Sequence, residues 1–202
     1  MMPSLLPRSA PAWLTDPAVS FLARLGVTPN MLTLAGVLGN AGAAVLAGYG
    51  EFLAAGVVLL AFSSLDFLDG ALARATGRAS DFGSVFDAVM DRISEAAVLF
   101  GLLFYFSERG GRTEELLIFA AVTGSILVSY VRARAEVIGL KLREGLFTRA
   151  ERVVLMGGGL ILHEALGENV LTPLLWVLAI LTGFTALQRL AIVWWETRKR
   201  AE

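Results

Sequence analysis

Asp66, Asp69, Asp87 and Asp91 stand within one stretch, "LDFLDGALARATGRASDFGSVFDAVMDR", residues 65–92. The first pair is spaced i, i+3 and the second i, i+4, so each pair falls on one face of a helix. A short segment separates the pairs, which makes the two helices antiparallel neighbours whose acidic faces converge at one depth. Four carboxylates gathered there repel one another and are costly to take out of water. A divalent cation relieves both costs. Ligands that are oxygen only select a hard ion, Mg²⁺ or Mn²⁺.

Small residues run in register with the acids. Gly70 and Ala73 follow Asp66 at i+4 and i+7, and Gly83, Asp87 and Asp91 form an i, i+4, i+8 stripe. The missing side chains open a slot where a flat or bulky ligand can lie against helix backbone. Arg74, one turn beyond Gly70, offers a planar fork of donors to a phosphate. Together these features describe a site for a nucleoside diphosphate group. A packing cluster with Arg74, Arg78 and Arg92 would absorb two or three aspartates, but not four at this spacing with the glycines in register.

The elements that must position these residues are apolar. The chain has 202 residues, of which 56% are hydrophobic, and its mean hydropathy is +0.68. An ordinary soluble domain is about 45–50% apolar. Six stretches are long enough for membrane spans, approximately 31–49, 52–73, 84–106, 115–138, 149–165 and 171–195. The expectation is a single all-α integral membrane domain over residues 1–202, with a six-helix bundle at about 31–195. No signal peptide is apparent at the N-terminus.

With six spans, 15 of the 17 basic residues fall on the side that holds both termini. The positive-inside rule makes that side cytoplasmic, and the aspartates lie toward it. Before the first span, "TDPAVSFLARLG" offers Asp16 as an N-cap and Pro17 as the first helical residue. Ala18, Phe21, Leu22 and Leu25 then recur at helical spacing. This describes an amphipathic helix at about 12–26, lying on the membrane surface.

Composition excludes several chemistries. There is no cysteine, hence no disulfide, thiolate site or thiol nucleophile, and His163 is the only histidine. The formal net charge of −1 gives no general attraction to nucleic acid. A cation-coupled transporter would more often show repeats or broken helices at the midplane. A membrane prenyltransferase would normally carry two separated aspartate-rich motifs.

A second polar group lies at the cytoplasmic helix ends. "SYVRARAEVIGL" (129–140), "FTRAERVVL" (147–155) and "LQRL" (187–190) bring Arg132, Arg134, Arg149, Arg152 and Arg189, with Glu136 and Glu151 as partners able to orient them. An arginine within an apolar helix is costly, so Arg189 asks for a reason, and an anionic acceptor supplies one. Ordinary snorkelling at cytoplasmic helix ends is the alternative. Asn30 either caps span one or approaches the diphosphate site. Glu95 continues the glycine stripe inward, more in keeping with a buried pair than with a ligand. "GVLGNAGAA" (36–44) serves tight helix packing or a dimer seam.

The pattern Asp66-x2-Asp69-Gly70-x2-Ala73-Arg74-x8-Gly83-x3-Asp87-x3-Asp91 resembles the signature of the CDP-alcohol phosphatidyltransferases, with every position filled. The resemblance implies attack by an alcohol on the β-phosphoryl of a CDP-linked lipid, with release of CMP. It implies that Asp66, Asp69 and Asp87 ligate metal, usually two ions, and that Asp91 is the general base, a ligand, or both. Asp66, Asp69, Gly70, Ala73, Arg74, Ser80, Gly83 and Asp87 would frame CDP, and the protein would be a homodimer. The arginine segments are similar to those of the phosphatidylinositol phosphate and archaetidylinositol phosphate synthases of this family. That likeness implies inositol 1-phosphate as acceptor, held by Arg132, Arg149, Arg152 and Arg189. Glycerol 3-phosphate is the runner-up. Ala150 departs from the proline frequent there in the actinobacterial enzymes.

Overall fold

The structure, a computed structural model, describes residues 12–142, 145–166 and 170–201. Residues 1–11 and parts of the segments that join the fourth, fifth and sixth predicted spans lie outside the described residues. The described chain is helical: α1 (Ala12–Arg24), α2 (Pro29–Tyr49), α3 (Phe52–Ser63), α4 (Leu65–Ala75), α5 (Asp81–Ser107), α6 (Arg112–Val137), α7 (Arg149–Leu166) and α8 (Leu171–Ala201).

Local sequence sets several helix ends. Thr28 caps α2 by accepting from the Met31 N–H, with Pro29 as first helical residue. Gly50 ends α2 at φ 86°, and the Glu51 N–H reaches back to the Leu46 carbonyl. Ser80 caps α5 through the Gly83 N–H at 3.0 Å. Asn30 therefore lies inside α2, one residue past Pro29, and is not its cap.

The structure refines one sequence expectation and corrects another. The second predicted span, 52–73, is found as the apolar stretch Phe52–Ala75, divided at Ser64 into α3 and α4. Ser64 keeps right-handed helical dihedrals, its N–H bonded to the Leu60 carbonyl and its hydroxyl donating to the Ala61 carbonyl at 2.6 Å. Asp16 does not cap α1, which begins at Ala12 and holds Pro17 inside it. Pro17 has no N–H to bond back one turn, so α1 carries one backbone hydrogen bond fewer at that point. Val19 and Leu22 pack with Leu32 and Leu72, while Phe21 and Leu25 of the expected apolar stripe face outward.

Helix pairs meet through small residues, which admit the close backbone approach that drives packing in lipid. A methyl group on Gly101 of α5 would stand 2.1 Å from the Ala44 carbonyl oxygen of α2. One on Gly56 of α3 would stand 2.6 Å from the Gly157 carbonyl oxygen of α7. The small-residue run of 36–44 is thus used within the chain, with Gly36 and Gly39 against Phe62 and Asn40 bonded to Ser63. The main core joins Ala47, Leu59, Val98, Leu102, Met156 and Leu175.

Among the described residues, four stretches are long and apolar enough to cross a membrane by length and composition: Pro29–Tyr49, Phe52–Ala75, Arg112–Val137 and Leu171–Arg200. Charge interrupts the other two long helices. Asp87, Asp91, Arg92 and Glu95 interrupt α5, and Arg149, Glu151, Arg152 and Glu164 interrupt α7. Large apolar side chains point outward all round, among them Leu38, Phe100, Phe119 and Leu187.

Candidate active site

The site is built on the hairpin of α4 and α5. Gly77, at φ 65°, stops α4, and the Arg78 N–H closes the turn on the Ala73 carbonyl. Ser80 then starts α5. This short turn folds the two aspartate-bearing faces onto one another.

Asp66, Asp69 and Asp87 each offer an oxygen within 4.8 Å of the others. Asp69 is buried, and the Thr33 hydroxyl of α2 donates to its Oδ2 at 2.9 Å. Asp87 Oδ1 is buried with no hydrogen-bond partner among the described residues. Asp91 stands apart from this group of three. It pairs with Arg149 Nη1 at 3.0 Å and lies 3.7 Å from Arg92. Arg149 also bonds Asp66 through the same nitrogen.

Beside the three acids lies a cleft of about 260 Å³ between the starts of α2 and α5 and the end of α4. Asp69, Gly70, Ala73, Arg74, Ser80, Gly83 and Asp87 all line it, together with Asn30. Of the residues expected to frame CDP, Asp66 alone is not part of the lining. A methyl group on Gly83 would stand 3.0 Å from Ser80 Oγ and 3.7 Å from Asn30 Oδ1. Thr33, Arg78 and Ser84 also line the cleft and were not singled out from the sequence as nucleotide-site residues. Helical spacing from Asn30 could have flagged Thr33, one turn further along α2.

The arginines divide. Arg132 is exposed and pairs with Glu136 at 3.0 Å. Arg149 reaches the aspartates. Arg152 is buried and grips Glu95 with two nitrogens, at 2.6 and 2.9 Å, which is the buried pairing expected of Glu95. Arg189 is buried and donates to the Val128 carbonyl at 2.8 Å, with Gly145 pressed against its guanidinium. Glu151 accepts from both the N–H of Thr148, at 2.7 Å, and its hydroxyl, so the side chain three residues on ties down the residue just before α7. The body of α7 packs on α3 and α8. Arg149 and Arg152 tie its first turn to α4 and α5.

Comparison with known proteins agrees with this geometry. The family model for CDP-alcohol phosphatidyltransferase matches residues 26–185. The phosphatidylinositol phosphate synthase of Mycobacteroides abscessus is 36% identical over 196 residues, covering 95% of this chain and 89% of that one. The archaetidylinositol phosphate synthase of Pyrococcus horikoshii is 39% identical over 186 residues, covering 90% and 89%. The crystal structure of Mycobacterium tuberculosis phosphatidylinositol phosphate synthase with CDP-DAG bound superposes with a TM-score of 0.82 at 34% identity, covering 91% and 94%. A second structure of that enzyme, with manganese and citrate, gives 0.81 at 33%, covering 89% and 88%. An aspartate signature with every position filled, a cleft lined by its small residues and a match over most of the chain lead to one conclusion: this chain belongs to the CDP-alcohol phosphatidyltransferase family of enzymes.

Proposed function

We propose that this protein transfers a phosphatidyl group from CDP-diacylglycerol to a hydroxyl of inositol 1-phosphate and releases CMP. The observation that carries this reading is the meeting of Asp66, Asp69 and Asp87 with a cleft lined by Gly70, Ala73 and Gly83. The names of the relatives support the choice of acceptor.

The acidic group fits a divalent metal. Its donors are oxygens only, Asp87 Oδ1 lacks a partner, and Asp69 is already oriented by Thr33. Asp66, Asp69 and Asp87 would hold Mg²⁺ or Mn²⁺, two ions by the family pattern, with Asp91 at the margin. Bound there, the metal supplies charge neutralisation to the diphosphate and to the departing CMP.

The chain's own residues do the remaining work. Arg74 holds a phosphate at the mouth of the cleft, and the small residues let the nucleotide lie flat on α4 and α5. Asp91 takes the proton of the acceptor hydroxyl. The acceptor oxygen bonds to the β-phosphorus as the bond from that phosphorus to the bridging oxygen breaks, and CMP leaves with the electron pair. Arg149, Arg152 and Arg189 supply positive charge for the acceptor's phosphate. Arg132 joins them by exchanging Glu136 for the ligand.

The membrane arrangement follows the same reading. Helix α5, with 27 residues, is about 40 Å long, and α7, with 18, about 27 Å, so both reach across the roughly 30 Å apolar layer. With α2, α3–α4, α6 and α8 they make six spans. Helix α1 rests on the cytoplasmic surface with Phe21 and Leu25 in the lipid, and both termini and the site face the cytoplasm. Two copies form a homodimer.

The test is CMP release by purified protein in detergent with CDP-diacylglycerol and Mg²⁺, comparing inositol 1-phosphate, glycerol 3-phosphate, free inositol and serine. Release with inositol 1-phosphate alone is expected. Release with glycerol 3-phosphate instead would keep the aspartate chemistry and refute the acceptor.

A further inference from the structure

We propose that Arg149 is a resident counter-ion of the metal site, and that a divalent cation binds only by displacing its guanidinium from Asp66. This rests on the metal-site reading given above. Asp66 belongs to two groupings at once. It is one of the three acids that close around a common point, and it is one of two acids bonded by Arg149 Nη1, the other being Asp91 at 3.0 Å. A doubly charged ion and a guanidinium on the same carboxylate stand within a few ångströms of each other in a poorly screening interior, so they repel strongly.

Two buried polar atoms mark the present arrangement as incomplete. Among the described residues, neither Arg149 Nε nor Asp87 Oδ1 has a hydrogen-bond partner. The guanidinium bonds Asp66 and Asp91 through a single nitrogen and makes no bond to Asp87 Oδ1. An ion among Asp66, Asp69 and Asp87 satisfies Asp87 and relieves Asp66. Arg149 is then free to take an anionic acceptor. It can move without moving a helix, because the body of α7 is held by α3 and α8 and its neighbour Arg152 is anchored on Glu95. Metal and acceptor thereby assist each other's binding: the ion releases the guanidinium, and the anion receives it.

The experiment uses the full chain in detergent, with Mn²⁺ as probe and no lipid substrate. Binding is followed by loss of the free-Mn²⁺ electron paramagnetic resonance signal, and stability by thermal unfolding in EDTA and in saturating Mn²⁺. R149Q is expected to bind Mn²⁺ at least about fivefold more tightly than the wild type. It is expected to melt lower than the wild type in EDTA, with that gap closing in Mn²⁺. R149K keeps the charge on a shorter arm without the fork, and its Mn²⁺ affinity is expected to fall between the two. Equal affinity of wild type and R149Q, or a melting gap that persists in Mn²⁺, overturns the proposal. R149K indistinguishable from the wild type overturns displacement in favour of charge alone. A wild type that takes up no Mn²⁺ overturns the metal site itself, and the counter-ion role with it.

Discussion

Arg152 of α7 and Glu95 of α5 form a two-pronged ion pair, both side chains almost wholly buried at 3% and 5% exposure. Removing one partner strands the other charge, at a cost on the order of 3 kcal/mol. Glu95→Ala should therefore lower the unfolding midpoint in detergent well beyond a surface change such as Glu136→Ala. An unfolding midpoint unchanged in Glu95→Ala would mean the pair does not clamp α7 to α5.

Thr33 and Asp69 make a second inter-helix contact, and its expected effect is on metal affinity. Losing the hydroxyl that orients a ligand typically costs about 10- to 100-fold in metal affinity or activity. Thr33→Val should raise the Mg²⁺ concentration needed for half-maximal CMP release, and Thr33→Ser should restore it. Wild-type metal dependence in Thr33→Val would show that Asp69 needs no such support.

Gly83 tests the cleft. An added side chain there meets Ser80 Oγ and Asn30 Oδ1. Gly83→Val should raise KM for the CDP-lipid while leaving the thermal midpoint near the wild-type value. A lowered midpoint with unchanged KM would make this glycine a packing residue.

Gly101 supplies the contrast. Its missing side chain lets α5 approach the Ala44 carbonyl of α2. Gly101→Val should destabilise by roughly 1–3 kcal/mol through overpacking, read as a lower midpoint in a thermal melt. A mutant as stable as the wild type would mean the two helices can part there at little cost.

What the sequence made legible was local. Asp66, Asp69, Asp87 and Asp91, with Gly70, Ala73 and Gly83, could be placed because 3- and 4-residue spacing fixes a helix face without knowledge of the partner. The division at Ser64 was hidden, since no glycine or proline marks it. Contacts distant in the chain were equally hidden. Thr33 lies 36 residues before Asp69, Arg152 lies 57 after Glu95, and Arg149 lies 83 after Asp66. Each depends on how α2 and α7 dock on the hairpin, which periodicity does not encode. The basic residues at the ends of α6, α7 and α8 were legible as a group. Their division into the exposed Arg132, the buried Arg152 and Arg189 and the bridging Arg149 required the tertiary structure.

The most direct test of the central claim is the mass of the lipid product. Purified protein is incubated with CDP-diacylglycerol, inositol 1-phosphate and Mg²⁺, and the lipid extract is analysed beside an Asp91→Asn control. The account predicts a lipid heavier than phosphatidic acid by one inositol phosphate residue, with one CMP per lipid formed, both absent from the Asp91→Asn sample. CMP with phosphatidic acid alone would make the protein a hydrolase under these conditions, and the same lipid formed by Asp91→Asn would remove Asp91 as the base.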